Sequence, residues 1–422
     1  MFDASFLRRR PAQVVTLLLL MQAFVYYARA RGTESVPLIR PLAEFPSLLD
    51  GGWRMVRESA IDEKVQEVLR GAAVALVVTY HASYLTAGWG PRLLPGGFVG
   101  VDLFFVLSGF LITRKLATDL DRHGRIAFGR FAERRVRRLV PALVALVAVV
   151  VVARIGWPSI APRTLTGEVF TRADTLTSGV GTLLYLSNWQ QARGWAFVPE
   201  LSHTWSLAIE GQYYLVWPFV LAAFHRLRLP RPAQLGAIVA AMVATWVHRA
   251  ALWTDQAHYL PLYLRTDTRL DVILAGSILG LLAAWGRLRV GEGRWLRLPA
   301  VAGVAVLGVT SCLSETGDVH LYRDYGLVAV TLAGTAIVAS AVVDPRFVLT
   351  RVWDLGALRW LGLRSYSLYL WHVPVFLSVA SNLGDRPVAL KAAVGVAAAL
   401  ALAEISYRYV ETPFRRRRPP TP

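Results

Sequence analysis

The chain has 422 residues, of which 55% are hydrophobic, and its 46 lysines and arginines against 28 acidic residues give a formal net charge of +18. Its mean hydropathy of +0.43 exceeds that of ordinary soluble domains and favours a polytopic membrane protein. The arginines cluster in short segments between apolar runs, as in cytoplasmic loops, so the charge argues against a nucleic-acid partner. Cys312 is the only cysteine, which excludes an internal disulfide and argues against a cysteine-based metal site.

Residues 1–69 form an N-terminal extension with an apolar run from Val14 to Tyr27, shortly after three arginines. An extra membrane span, a cleaved signal peptide and an interfacial segment all fit this pattern. A cleaved signal would leave residues 31–69 outside, and the next helix would then run against the charge bias of every later loop. We therefore expect an uncleaved, membrane-associated segment.

Residues 70–414 predict one membrane domain of about ten transmembrane helices, followed by a basic, proline-rich cytoplasmic tail at residues 415–422. The predicted fold is all-α, a polytopic helix bundle that crosses the lipid bilayer of the plasma membrane many times, with both ends inside. The most basic loop, residues 114–138, is expected in the cytoplasm. The long loop at residues 156–202 is expected outside.

Two ionisable residues mark the first core span. Arg70 and His81 lie eleven residues apart in an otherwise apolar run. At about 100° and about 1.5 Å per residue they share one helix face and lie roughly 16 Å apart along the axis. With Arg70 at the interface, His81 lies near the midplane, where an ionisable residue indicates a functional site. The next span brings Asp102 and Ser108 into the same neighbourhood.

Further polar residues recur inside the later spans. His203 and Glu210 are seven residues apart and therefore share a helix face. Each polar residue alone also fits interhelical hydrogen bonding or an aromatic belt. Their accumulation in one bundle predicts a polar central cavity. The other members of this set are Arg269, Asp271, Tyr369 and His372.

Five segments carry a family resemblance. They are R-x10-H followed by GGFVGVDLFFVLSGFLIT, then RRVRRLVPA, HTWSLAIEGQYYLVWP, SYSLYLWHVPV and YRYVETPFRR. In this order they resemble the motifs of the acyltransferase 3 family of integral-membrane acyltransferases. Two positions depart from the family pattern: Glu67-Val68-Leu69-Arg70 stands where Asp-Gly-Leu-Arg is common, and Gly211 replaces a frequent acidic residue.

The resemblance implies transfer of an acyl group, such as acetyl from acetyl-CoA, to a hydroxyl group of a cell-surface glycan or polysaccharide sugar. A glycosylated metabolite such as a macrolide is the alternative acceptor. A thioester is already activated, so the missing group is a base that deprotonates the alcohol. We interpret His81 as this base, because a low-dielectric span favours neutral imidazole. Asp102 is expected to orient the imidazole as in a catalytic triad, and Glu210 is the third catalytic candidate.

The remaining candidates are expected to bind substrate. Ser108, Trp205 and Tyr369 are neutral donors for the oxyanion, and Arg70 is a charged one. His203, Arg269, Asp271 and His372 complete the predicted substrate-binding set. Arginines of the basic loop are predicted to bind the phosphates of coenzyme A, although positive-inside topology explains them equally well. These arginines are Arg134, Arg135, Arg137 and Arg138.

Two other classes of function stay open at this point. A proton-coupled transporter also places His, Glu and Arg inside its membrane helices. Broken helices and internal repeats are typical of transporters, and the sequence contains neither. An inactive assembly subunit is the third class, and the presence of Arg70, His81 and Glu210 argues against it.

Overall fold

The computed structural model describes residues 50–86, 94–157, 169–255, 259–288, 293–315, 318–344 and 356–415. These residues form a helix bundle, and no strand occurs among them. The all-α prediction is therefore confirmed. The apolar run of the N-terminal extension lies outside the described residues, as does the tail beyond Arg415.

Sixteen α-helices organise the described residues. They are α1 (Asp50–His81), α2 (Gly100–His123), α3 (Phe128–Gly156), α4 (Arg172–Leu183), α5 (Ser187–Ala192), α6 (Trp205–Arg226), α7 (Arg231–Leu252), α8 (Tyr259–Leu264), α9 (Leu270–Ala284), α10 (Arg297–Leu313), α11 (Val319–Tyr322), α12 (Gly326–Val343), α13 (Gly356–Leu363), α14 (Ser365–Leu383), α15 (Val388–Ile405) and α16 (Thr412–Arg415). Short 3-10 turns precede several of them, at Gly97–Val99, Pro199–Thr204 and Arg294–Leu296, and a π-helical segment, Ser406–Glu411, follows α15.

Eight helices in the described part of the chain are long and apolar enough to cross a membrane. They are Glu63–Leu85, Gly97–His123, Phe128–Gly156, Pro199–Arg226, Arg231–Leu252, Arg294–Leu313, Gly326–Val343 and Val388–Arg415. Two further helices, α9 and α14, correspond to the rest of the roughly ten spans that the sequence predicts. The first, α9, has only 15 residues, most of them buried, so protein rather than lipid surrounds it. The second, α14, has 19 residues and includes the polar side chains of the SYSLYLWHVPV segment.

Helix α2 lies at the centre of the bundle and packs closely against α9. A Cβ added at Gly109 would lie 2.0 Å from the carbonyl oxygen of Ile273, and one added at Gly276 would lie 2.0 Å from that of Val106. Only glycine permits two helix backbones to approach this closely, as at other small-residue interfaces in membranes. The contact brings the first turn of α2 beside the start of α9.

Candidate active site

A cavity of about 430 Å³ lies between α1, α2, α3, α6 and α14. Four arginines and four glutamates line it: Arg70, Arg135, Arg138 and Arg415, with Glu63, Glu67, Glu210 and Glu411. Its inner end reaches the side chains of Ser206 and Tyr369. The arginines of the cavity lie at the side of the bundle that the positive-inside pattern predicts to be cytoplasmic.

Only two of the four arginines of the RRVRR segment line the cavity, although the sequence predicted that all four bind coenzyme A. Arg135 and Arg138 are three residues apart on α3 and share the face that lines the cavity. Arg134 is exposed. Nη2 of Arg137 forms an ion pair with Oε1 of the exposed Glu133, one turn away, at 2.6 Å. The helical period therefore divides the predicted coenzyme-binding set into two arginines on the cavity and two outside it.

Glu210 lies on the cavity wall, where two neutral donors hold it. The Ser108 hydroxyl donates to Oε1 of Glu210 at 2.7 Å, and the Tyr214 hydroxyl lies 3.1 Å from Oε2. Because the Ser108 proton is bonded to Glu210, Ser108 is not the free oxyanion donor that the sequence suggested. Tyr214 was missed, although it follows Glu210 by one helical turn in the same motif.

Asp102 does not contact His81, so the predicted triad-like pair is wrong. Its Oδ1 instead accepts from Nη2 of Arg269 at 2.5 Å, and the two side chains are 1% and 0% exposed. The close packing of α2 on α9 produces this pairing. A buried guanidinium needs a carboxylate partner, because an unpaired buried charge costs several kcal/mol.

Asp271 forms a second buried ion pair next to the first. Nη1 of Arg249 lies 3.4 Å from both carboxylate oxygens, and Nε1 of Trp246 donates to Oδ2 at 2.6 Å. Neither Asp271 nor Arg269 lines the cavity, so both depart from their predicted place at the substrate. The sequence prediction missed Arg249. The signal that could have found it is its position, as an arginine near the end of the apolar helix α7.

Hydrogen bonds to carbonyl oxygens fix the tautomers of two neighbouring histidines. Nδ1 of His81 lies 2.9 Å from the Val77 oxygen, and Nδ1 of His372 lies 3.1 Å from the Leu368 oxygen. A carbonyl oxygen only accepts, so both Nδ1 atoms carry protons. Nε2 of His372, 3.1 Å from Nδ1 of His81, is then an acceptor. In the neutral ring, Nε2 of His81 holds the lone pair that a general base requires.

A proline in α14 determines which nitrogen of the third histidine, His203, carries the proton. Pro374 lacks an N–H, so the carbonyl of Leu370, four residues earlier in α14, loses its helical donor. Nε2 of His203 donates to that carbonyl at 3.1 Å. Its Nδ1 therefore carries a lone pair, and this buried atom has no partner among the described residues.

Tyr369 separates the cavity from the histidines. Its hydroxyl donates to the His203 carbonyl at 2.7 Å and accepts from Ser206 at 2.6 Å, so it is not a free oxyanion donor. Its ring centroid lies 5.6 Å from that of His372, which lies 4.9 Å from that of His81. His81 is not on the cavity wall, and the rings of Tyr369 and His372 connect that wall to the base. Trp205, also expected at the oxyanion, packs against aromatic rings in the core.

A second, smaller cavity of about 320 Å³ lies in the loop region expected to face outward. It is lined by Leu186, Trp189, Gln190, Arg193 and Trp195. The guanidinium of Arg265 lies over the Trp189 ring, 5.5 Å from its centroid. Aromatic faces beside polar and cationic groups are a surface suited to sugar rings.

Comparison with known proteins identifies the family. The family model described as an acyltransferase domain matches residues 66–408. The chain is 30% identical over 361 residues to the peptidoglycan O-acetyltransferase OatA of Listeria monocytogenes, covering 82% of this chain and 55% of that protein. It is 32% identical over 367 residues to the O-acetyltransferase OatA of Staphylococcus aureus, covering 83% and 56%. No solved structure gives a significant match.

The chain belongs to the acyltransferase 3 family, as its motifs predicted. A putative peptidoglycan O-acetyltransferase of Bacillus subtilis, YrhL, is 32% identical over 368 residues, covering 82% of this chain and 54% of that protein. The chain spans about half the length of these curated relatives. The transporter interpretation loses its support, since the matched model describes an acyltransferase domain.

Proposed function

We propose that this protein transfers an acyl group, acetyl in the simplest case, from an acyl-CoA thioester to a hydroxyl group of a cell-surface glycan. The plasma membrane is its proposed location. The observation that carries the proposal is an arginine-lined cavity that ends at Tyr369, whose ring contacts His372, which in turn contacts the His81 base. The relatives in Listeria monocytogenes and Bacillus subtilis support peptidoglycan as the glycan, because they are named as O-acetyltransferases, the second a putative one, of that polymer.

The cavity suits the phosphate end of a coenzyme A donor. Its wall carries the guanidinium groups of Arg70, Arg135, Arg138 and Arg415, next to four glutamates. Nε of Arg135 is buried and has no hydrogen-bond partner in the described part of the chain. Phosphate oxygens bind guanidinium groups through short, charge-assisted hydrogen bonds, so such a donor would satisfy that atom.

The histidine arrangement suits deprotonation of an alcohol. Nε2 of His81 takes the proton of the acceptor hydroxyl, and the freed oxygen forms a bond to the thioester carbonyl carbon. The carbon–sulfur bond then breaks, and the thiolate leaves and receives the proton from His81. Because the cavity ends at Phe104 and Tyr369, the acyl group has to pass these two rings, whose centroids lie 6.4 Å apart.

Acyl transfer by the full chain in proteoliposomes tests the proposal. The assay supplies radiolabelled acetyl-CoA with muropeptide-derived oligosaccharides, and in a parallel arm with a macrolide. We expect a base-labile acetyl ester on the oligosaccharide. Ester formation on the macrolide alone would transfer the proposal to a glycosylated metabolite. Absence of acetyl transfer to sugar, macrolide and water would contradict an acyl-CoA donor.

A further inference from the structure

His81 lacks the carboxylate that usually supports a histidine base, and another imidazole stands in its place. A base that becomes an imidazolium is normally held at its other nitrogen by an acceptor, as aspartate does in a serine-protease triad. Asp102 cannot fill this role, because it bonds Arg269. At Nδ1 of His81 the acceptors are the Val77 carbonyl at 2.9 Å and Nε2 of His372 at 3.1 Å.

His372 is built to be such an acceptor. It is fully buried, and its own Nδ1 proton is bonded to the Leu368 carbonyl one turn earlier on α14. That bond leaves the lone pair on Nε2 and directs it at His81. The titratable groups whose rings contact His372 are His81, His203 and Tyr369, and no carboxylate is hydrogen-bonded to any of the three histidines among the described residues.

We propose that His372 is a positioning residue that completes the His81 base, an inference that rests on the proposed function. Its Nε2 shares the Nδ1 proton of His81 with the Val77 carbonyl, and both acceptors keep the lone pair of His81 on Nε2. When His81 takes the acceptor proton, the same hydrogen bond strengthens and stabilises the imidazolium. No proton leaves His81 for His372 in this step. The sequence assigned His372 only to substrate binding, and the contact across α1 and α14 changes that assignment.

Two amide substitutions separate this role from simple packing. The carboxamide of glutamine reaches the position of the imidazole Nε2, whereas that of asparagine reaches only the position of Nδ1. His372→Gln therefore keeps an acceptor at His81, and His372→Asn keeps only the local bond to the Leu368 carbonyl. Both variants introduce the same polar group into the same buried site, so each controls for the folding cost of the other. Phe376→Leu, which alters the ring packed against His372, serves as a packing control.

The experiment measures kcat and both KM values for acetyl transfer by the full chain in proteoliposomes, after the thermal transition of each variant is recorded. We expect His372→Asn to lower kcat about 10²-fold, less than the roughly 10⁴ that loss of tautomer control costs in a triad, because the Val77 carbonyl remains. Both KM values should change less than about twofold. His372→Gln and Phe376→Leu should stay within about tenfold of the unmodified chain.

Equal kcat values for His372→Asn and His372→Gln would overturn the inference while leaving the proposed function intact. A loss confined to KM would also overturn it, because it would return His372 to substrate binding. Absence of transfer by the unmodified chain would overturn the proposed function and this inference together.

Discussion

Arg269 donates from Nη2 to Oδ1 of Asp102 at 2.5 Å, in a pair that is almost completely buried. We expect Arg269→Met to lower the free energy of unfolding by about 3–5 kcal/mol, because it leaves a carboxylate buried without a partner. Lys115→Met is the control, since it breaks an exposed i,i+4 pair with Asp119 worth about 0.3–0.5 kcal/mol. Thermal unfolding in detergent measures both.

The Asp102→Asn variant distinguishes a structural role of this ion pair from the catalytic role that the sequence suggested for Asp102. We expect lower thermal stability, and residual activity in the fraction that stays folded. Unchanged stability with complete loss of acyl transfer would contradict the structural assignment.

The sequence predicted the helices better than it predicted which side chains pair with each other. Periodicity and charge were sufficient for the helices, and the family motifs were sufficient for the cavity face that carries Arg70 and Glu210. They were not sufficient for the pairing of Asp102, because that pairing depends on how closely the glycines of α2 and α9 let two backbones approach. The role of the Leu370 carbonyl was equally hidden, since it requires both the missing N–H of Pro374 and the position of His203 in space.

Charge removal on the two faces of α3 provides a matched test of the donor site. Arg135→Gln with Arg138→Gln removes two cavity charges, whereas Arg134→Gln with Arg137→Gln removes two outside it. Hydrogen bonds to charged groups contribute about 1.5–3 kcal/mol each, so the first pair should raise the donor KM at least about tenfold. The second pair, with the same loss of charge, should change it less than about twofold. Similar donor KM values for the two double variants, from steady-state kinetics, would refute the coenzyme site.

The second, smaller cavity, which Trp189 lines, is predicted to bind the acceptor. Trp189→Ala removes an aromatic face next to Arg265, and we expect a higher acceptor KM with an unchanged donor KM. Loss of one aromatic contact corresponds to about 0.5–1.5 kcal/mol, or roughly a threefold to tenfold change. Trp295→Ala, at an exposed tryptophan before α10, is the control. A shift in the donor constant with Trp189→Ala would contradict separate entrances for the two substrates.

Asp267 makes a pH-dependent contribution outside the membrane-spanning helices. Partial burial alone would raise the pKa of Asp267, but hydrogen bonds from Arg265 and His248 outweigh burial and lower it below the usual 3.8. A lowered pKa stabilises the fold above the unfolded value and loses that stabilisation as pH falls through the folded value. Asp267→Asn should therefore cost less than about 1 kcal/mol at about pH 7, because the pair is partly exposed.

This difference between the unmodified chain and Asp267→Asn should shrink once the pH falls below about 3.8. Unfolding temperatures of both proteins across the pH range measure it. A difference that stays constant down to about pH 3 would show that the carboxylate charge is not its source.

The most direct test of the account is the rate of acyl transfer by His81→Ala, measured at equal protein in proteoliposomes. Removal of a general base costs about 10²–10⁴ in rate, and we expect a loss in this range with a donor KM changed by less than about twofold. The Val77 carbonyl and His372 remain in place in this variant, so the change isolates the base itself. Retention of more than about half of the activity would contradict His81 as the base.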